Sequence, residues 1–493
     1  MKFVSTRGGE KVNGAQAVVQ GLAANGGLFV PEKFPVITEA ELEEMLSMSY
    51  PERAHKVLSK YFTEYDNKEL LSALESAYGK FEGDPAPLVK LDDGVYMLEL
   101  WHGPTCAFKD IALSVFPYLL RKGCDIAGIK EEVLVLVATS GDTGKAALEG
   151  FKDAEGVRVI VFYPLDGVSK IQKLHMCTQD GKNVNVVGVK GSFDDCQTAV
   201  KEILASAEYG EQLKENGVVL CSANSLNFGQ LAPQIAYYFS AYLDMVSSGQ
   251  IEMGTKIDFT VPTGNFGNVL AGYYALKMGL PIRRLHCATN LNNVLCDFFK
   301  TGVYDMNREI VKTTSPSMDI LLSSNLERLI FEISGRNTKL TAKRMAELKK
   351  TGKYEITPEE LQDISGIFDG GFANEDTCVE AMYNIFEEAG YTMDTNTGCA
   401  MKVAYDWFEK NKKDETDMII VSTANPYKFP QDVLYAVTGN DVKDSFKGIK
   451  RLHAATAMAV PKCLKDLKDK TPRFTATVTV DKMFNEVLNF ISK

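Results

Sequence analysis

Between Glu131 and Ala207 the chain alternates strand and helix in a manner that few folds accommodate. EEVLVLVATSGDTGKAALEGF (Glu131 to Phe151) passes from an unbroken apolar run, through small residues, into a helical pattern. VRVIVFYP (Val157 to Pro164) and KNVNVVGVKG repeat the apolar run, and DDCQTAVKEILASA follows as a helix. These strands are apolar at nearly every position rather than at alternate ones, which predicts a parallel sheet covered on both faces. On such sheets ligands bind at the carboxyl ends of strands, and that is where SGDTG falls.

A second block begins near Lys256. KIDFTVPTGNFGNVLAGYYALKMG is again a strand, a glycine turn and a helix, followed by RRLHCATN; a late apolar strand lies in DMIIVSTANPYKFP (Asp417 to Pro430). Between the blocks, Gln230 to Gly249 has the length and apolar content of a core helix. The class is therefore α/β, with two doubly wound parallel-sheet domains. The expected division is a mostly helical N-terminal segment (1–87), a first α/β domain (88–255), a second (256–430) and a peripheral helical appendage (431–493). In the first segment, Thr38 followed three residues later by Glu41 has the spacing of a helix capping box.

A formal net charge of −11 argues against non-specific attraction to nucleic acid or an anionic membrane. The ten cysteines form no CxxC pair and no metal-ligand spacing, and MKFVSTRGGE carries no apolar signal region, so a cytoplasmic chain with reduced thiols is expected. No apolar run is long enough to span a bilayer.

The segment WHGPTCAFKDIAL (Trp101 to Leu113) sets Lys109 between Phe108 and Asp110, with an apolar run continuing to Leu120. A long amine held beside a packed wall is desolvated, which favours its neutral, nucleophilic form. An ordinary surface lysine at a helix start is the alternative reading of this stretch. Beside it, His102 is the one histidine with a functional reading, alongside a packed role.

Three strand-to-turn junctions also carry chemistry. Ser140-Gly141-Asp142-Thr143-Gly144 offers N–H groups and hydroxyls suited to a carboxylate. It is not a nucleotide P-loop: the required first glycine would fall at Thr139, and Ala146 follows Lys145. Gly264-Asn265-Phe266-Gly267-Asn268 is a glycine turn whose N–H groups could cradle a phosphate monoester, without the GxGxxG spacing of a dinucleotide site. The third junction, Ser422-Thr423-Ala424-Asn425, places small hydroxyls at a strand end. Each has a plain turn as its alternative. Together, a desolvated lysine, two anion turns and a strand-end hydroxyl are the parts a pyridoxal-phosphate enzyme needs.

At these residues the chain resembles the threonine synthases, among the fold-type II (β-family, tryptophan synthase β-like) pyridoxal-phosphate enzymes. The resemblance rests on HGPTCAFKD around Lys109, ATSGDTG, SANSLN (Ser222 to Asn227), VPTGNFGN, SPSMDI (Ser315 to Ile320) and STANPYKF, in that order, and extends from GGLFVP to about Pro430. It implies conversion of O-phospho-L-homoserine and water to L-threonine and phosphate. It further implies that Lys109 is the Schiff-base lysine and proton shuttle, that Gly264, Asn265, Phe266, Gly267 and Asn268 hold the cofactor phosphate, and that Thr423 faces the pyridine nitrogen. Ser140, Asp142, Thr143 and Asn224 would surround the substrate, with Ser169 and Lys170 of SKIQK receiving its phosphate. The partner is then a small phosphorylated amino acid, with no nucleic acid and no membrane; the chain is expected to be a monomer or homodimer.

Four positions depart from the family pattern: Asn396 and Asn425 stand where histidines are expected, Gln230 where an arginine is, and Asn293 where an aspartate is. Two alternatives remain open. One is a related lyase of the serine/threonine dehydratase type. The other is a catalytically silent relative.

Overall fold

The structure is a computed structural model and describes residues 1–139, 141–166 and 168–492, with only the backbone of Asp194. Two sheets organise it. The first has five parallel strands in the spatial order Thr477–Thr479, Val184–Lys190, Val157–Pro164, Glu132–Ala138, Val218–Ser222. Six strands form the second, in the order Phe368–Phe372, Ile282–Thr289, Ile257–Pro262, Met418–Ser422, Val95–Glu99, Leu88–Asp92. All its pairs are parallel except the last. The apolar runs read from the sequence are the buried central strands of both sheets, as two-sided coverage requires.

Strands Leu88–Asp92 and Val95–Glu99 precede Lys109 yet pair into the second sheet, beside Met418–Ser422. The chain thus starts on the second sheet, builds the first, and returns. Lys109 lies on the crossing, which carries it between the two sheets.

The N-terminal segment combines a small antiparallel sheet (Lys2–Ser5, Val12–Asn13, Phe29–Pro31) with helices that include Glu39–Met45, whose capping box joins Thr38 and Glu41. The C-terminal segment is helical but not peripheral. Strand Thr477–Thr479 extends the first sheet, and Met483, Phe484 and Val487 pack on Leu134, Leu136 and Ile160. A three-residue strand is too short to leave a readable alternation, so its pairing is not visible in the sequence.

The helix Phe228–Ser247 is buried along nearly its whole length, as its composition requires. The short helix Lys109–Leu113 packs against Asp142–Gly150 so closely that a Cβ at Gly150 would lie 2.1 Å from the Leu113 carbonyl oxygen. Gly150→Ala is therefore expected to destabilise the protein by about 2 kcal/mol, overpacking outweighing the better helix propensity of alanine. Urea denaturation checks this, and an unchanged midpoint would refute the close approach.

Candidate active site

Asp110 shapes the loop that presents Lys109. Its buried carboxylate accepts from the Thr105 N–H (2.8 Å) and the Thr105 hydroxyl (2.6 Å), closing the turn. A Cβ at Gly103 would fall 2.4 Å from the Asp110 Cβ, so this turn needs glycine there. Burial pushes the Asp110 carboxyl up to about 6, against the bonds from Thr105. The loop then runs antiparallel to the end of strand Met418–Ser422. The Phe108 N–H donates to the Thr423 carbonyl (2.9 Å), Asn425 N–H donates to the Cys106 carbonyl (3.0 Å), and Ala107 bridges Ala424. This pairing sets Lys109 and Thr423 on one cavity. Burial lowers the Lys109 amine to about 8, partly opposed by the charge of Asp142. Its Nζ lies 4.5 Å from the Phe108 ring centre.

Across the cavity is the turn Gly264 to Asn268. Phe266, at φ 62°, holds a left-handed conformation and precedes the helix Gly267–Lys277. A Cβ at Gly264 would sit 2.8 Å from the Ser317 carbonyl oxygen, so only glycine fits the cradle. The Asn268 Oδ1 accepts from the hydroxyls of Tyr237 (2.7 Å) and Tyr238 (2.8 Å), both on the long core helix. Its Nδ2 is left buried without an acceptor among the described residues. Asn325 repeats the arrangement: its Oδ1 is taken by the fully buried Arg328, and its Nδ2 has no acceptor among the described residues. Two buried amide donors without acceptors, beside a helix N-terminus, suit a phosphate group.

Asp142 and Thr143 open the helix Asp142–Gly150 and line the same cavity, as does Asn224. The hydroxyl of Thr139 accepts from the N–H groups of Gly141 and Gly144, both at 2.9 Å. Asp142 pairs with the buried Lys428 (2.6 Å) and accepts from Gln172 Nε2 at 3.3 Å. Ser140 lies outside the described residues. Ser169 caps the helix Lys170–Cys177 and lines a neighbouring pocket with Lys312 and Lys428. The exposed Lys170 lies 3.9 Å from Asp444. Neither lines the cavity of Lys109.

Of the four departures, Asn396 lines the cavity and accepts from Ser317 Oγ (3.2 Å). Asn425 caps Tyr427 instead, Gln230 is buried in the core helix, and Asn293 accepts from Arg308. His102 stacks on Trp101 and bonds to Glu99 at 2.7 Å. Sequence reasoning missed Thr139, Asn325 and Lys428. Lys428 stands within STANPYKF, but nothing in the sequence distinguishes it from a surface cation.

Residues 2–78 match the family model for the threonine synthase N terminus, 81–424 that for pyridoxal-phosphate dependent enzymes, and 397–491 that for the threonine synthase C-terminal region. Threonine synthase of Pseudomonas aeruginosa is 35% identical over 479 residues, covering 96% of this chain and 95% of the relative. Threonine synthase-like 1 of Homo sapiens is 37% identical over 447 residues, covering 87% of this chain; the chain spans 59% of that relative's length. Among solved structures, pyridoxal-phosphate-bound threonine synthase from Brucella melitensis superposes with a TM-score of 0.87 at 33% identity, covering 100% of this chain and 98% of the other. The yeast threonine synthase gives 0.88 at 30% identity, covering 100% and 99%. With matches along its full length and a site whose unpartnered donors suit the cofactor, the chain belongs to the threonine synthase family of pyridoxal-phosphate-dependent enzymes.

Proposed function

We propose that this chain converts O-phospho-L-homoserine and water to L-threonine and phosphate. The observation that carries this is the cavity joining Lys109, the donor-lined turn at Gly264 to Asn268, and Thr423. Pyridoxal phosphate, when bound, supplies an electron-withdrawing ring that acidifies carbon–hydrogen bonds of an attached amino acid. Lys109 would hold it covalently, the N–H groups of Gly267 and Asn268 with the Asn268 and Asn325 amides would hold its phosphate, and Thr423 would meet its ring nitrogen.

This chain's own residues do the rest. Lys109, with its amine depressed to about 8, exchanges protons near neutral pH and carries them to and from the substrate carbons. Thr139, Thr143 and Asn224 would surround the substrate carboxylate, with Ser140 as a proposed neighbour. Lys428 neutralises Asp142, which would otherwise repel that carboxylate. To the substrate phosphate we assign Ser169, whose pocket also holds Lys312 and Lys428; Lys170 would join it by leaving Asp444. Among the described residues no helix is long and apolar enough to cross a membrane. All ten cysteines are unpaired, which fits a cytoplasmic setting.

The test is incubation of the cofactor-loaded protein with O-phospho-L-homoserine. Equal amounts of phosphate and threonine are expected. Phosphate without threonine would indicate elimination to a keto acid, and neither product would favour the silent relative.

A neutral hydroxyl at Thr423 leaves a pyridine nitrogen less protonated than a carboxylate would, so the ring withdraws electrons less strongly. Thr423→Asp is expected to lower threonine formed per phosphate released roughly tenfold, equivalent to about 1.4 kcal/mol in the partition. An unchanged product ratio would remove Thr423 from this role.

A further inference from the structure

Of the ten thiols, nine are buried and Cys463 is half-buried. Its sulfur lies 3.1 Å from that of Cys106, a residue 357 positions earlier in the chain. Both line a polar cavity of about 330 Å³ that also holds His102, Lys145, Lys462 and Lys470, and is separate from the cavity of Lys109. Cys106 is three residues before Lys109, in a left-handed backbone conformation (φ 61°). Cys463 belongs to the short helix Lys462–Lys465, anchored by the buried Leu464.

We propose that Cys106 and Cys463 are a modification site for a two-electron oxidant of the peroxide class, forming a reversible disulfide that ties the C-terminal segment to the lysine loop and lowers turnover. The geometry sets the order of events. Cys463, the accessible thiol, meets the oxidant; Cys106, behind it, resolves the product. Cys463 as thiolate attacks a peroxide oxygen, breaking the O–O bond. Its sulfur is oxidised to a sulfenic acid, and the displaced oxygen takes up a proton and leaves as water. Cys106 then attacks that sulfur and gives up its proton; the S–S bond forms, the S–O bond breaks and a second water leaves. Two thiols and one peroxide thus yield one disulfide and two waters.

The surroundings agree. The bond from Cys106 and the nearby charges of Lys428 and Lys145 hold the Cys463 thiol below its usual range, the condition for a reactive thiolate. The pair Cys378 and Cys399, with sulfurs 3.8 Å apart, has both members buried and no such access. A disulfide requires the sulfurs to approach by about 1 Å. The Cys106 backbone is held in place, its carbonyl by Asn425 and the next two residues by Ala424 and Thr423, so the approach is shared between the two side chains, the helix Lys462–Lys465 and this strip. The share of the movement taken up on the Cys106 side strains the strip that sets Lys109 against Thr423. A displacement of that order can cost up to about a hundredfold in rate.

The experiment is titration of the cofactor-loaded protein with hydrogen peroxide, followed by non-reducing peptide mapping and by the initial rate of phosphate release. A peptide linking Cys106 to Cys463 is expected, with a ten- to hundredfold loss of rate, both reversed by dithiothreitol. Cys463→Ser and Cys463→Ala should keep their rate through the same treatment. Oxidation of Cys463 to a sulfinate with Cys106 still reduced would overturn the proposal, as would a linked peptide with an unchanged rate. A reduced protein that releases no phosphate would refute the proposed reaction, while the peptide map would still decide whether the bond forms.

Discussion

Replacing Lys109 with alanine is expected to lower threonine formation by about 10³-fold or more, because in the proposed reaction the group lost is both the covalent anchor and the proton carrier. The fold should survive. Lys109 Nζ has no hydrogen-bond or ion-pair partner among the described residues, so its removal leaves no partner stranded, while the turn is closed by Asp110 and Thr105. The variant should therefore keep the far-ultraviolet dichroism and thermal midpoint of the parent while losing activity. Lys109→Arg should be as inactive, since its charge persists at neutral pH and a guanidinium is a poor nucleophile. The amine itself should titrate near pH 8 in the cofactor-free protein, protonated below and neutral above, because burial favours the neutral form. Competitive acetylation of the Lys109 peptide measures this. A midpoint at the ordinary lysine value, or an alanine variant with more than a tenth of parental activity, would contradict the assignment.

Much of this site is legible in the amino-acid sequence. The glycine turns and the lysine segment are local signals: Gly264, Gly267 and Lys109 owe their character to near neighbours in the chain, and the strands feeding them are unbroken apolar runs. What is not legible depends on contacts between distant segments. Lys428 reaches Asp142 across 286 positions in the chain (428 minus 142). The two amides at the proposed phosphate cradle acquire their orientation from Tyr237, Tyr238 and Arg328, none of which carries a motif of its own. In the sequence Asp110 is only the residue after the lysine, though its bonds to Thr105 are what form the loop.

The same distinction accounts for Ser169 and Lys170. Their hydroxyl and ammonium suit a phosphate, but the helix they begin presents Gln172 to Asp142 and turns Lys170 towards solvent. Residue type is legible there and direction is not, because the direction is set by how the helix Lys170–Cys177 packs rather than by its sequence. Strands Leu88–Asp92 and Val95–Glu99 illustrate this at the level of topology. Nothing local indicates that they pair with Met418–Ser422, yet that pairing brings the lysine loop to Thr423.

Lys428→Met is expected to cost about 3 kcal/mol of stability and to raise the KM for substrate by at least tenfold. Lys428 is only 2% exposed, and its ammonium lies 2.6 Å from Asp142 and 3.0 Å from the Thr105 carbonyl. Burial alone would lower its pKa; the charge of Asp142 more than offsets this and raises it. A lysine raised in the folded state contributes stability that is complete below its ordinary pKa and is lost only as pH rises through the raised value. Across neutral pH the pair is therefore intact. Breaking it leaves a carboxylate without its cation in a poorly solvated place, the situation that makes loss of one partner costly. Asp142 retains some access to the cavity, with 14% side-chain exposure, which holds the cost to the lower end of the range for buried pairs. That uncompensated charge would face the carboxylate of the incoming amino acid, so binding suffers, and the stronger negative field would also raise the Lys109 amine. The double variant Asp142→Asn with Lys428→Met removes both charges together. It should recover at least half of the lost stability, because no buried charge remains unpaired. Urea denaturation of the two single variants and the double variant measures this coupling. Strict additivity of the losses would show that the pair does not act as a unit, and a KM unchanged by Lys428→Met would separate it from substrate binding.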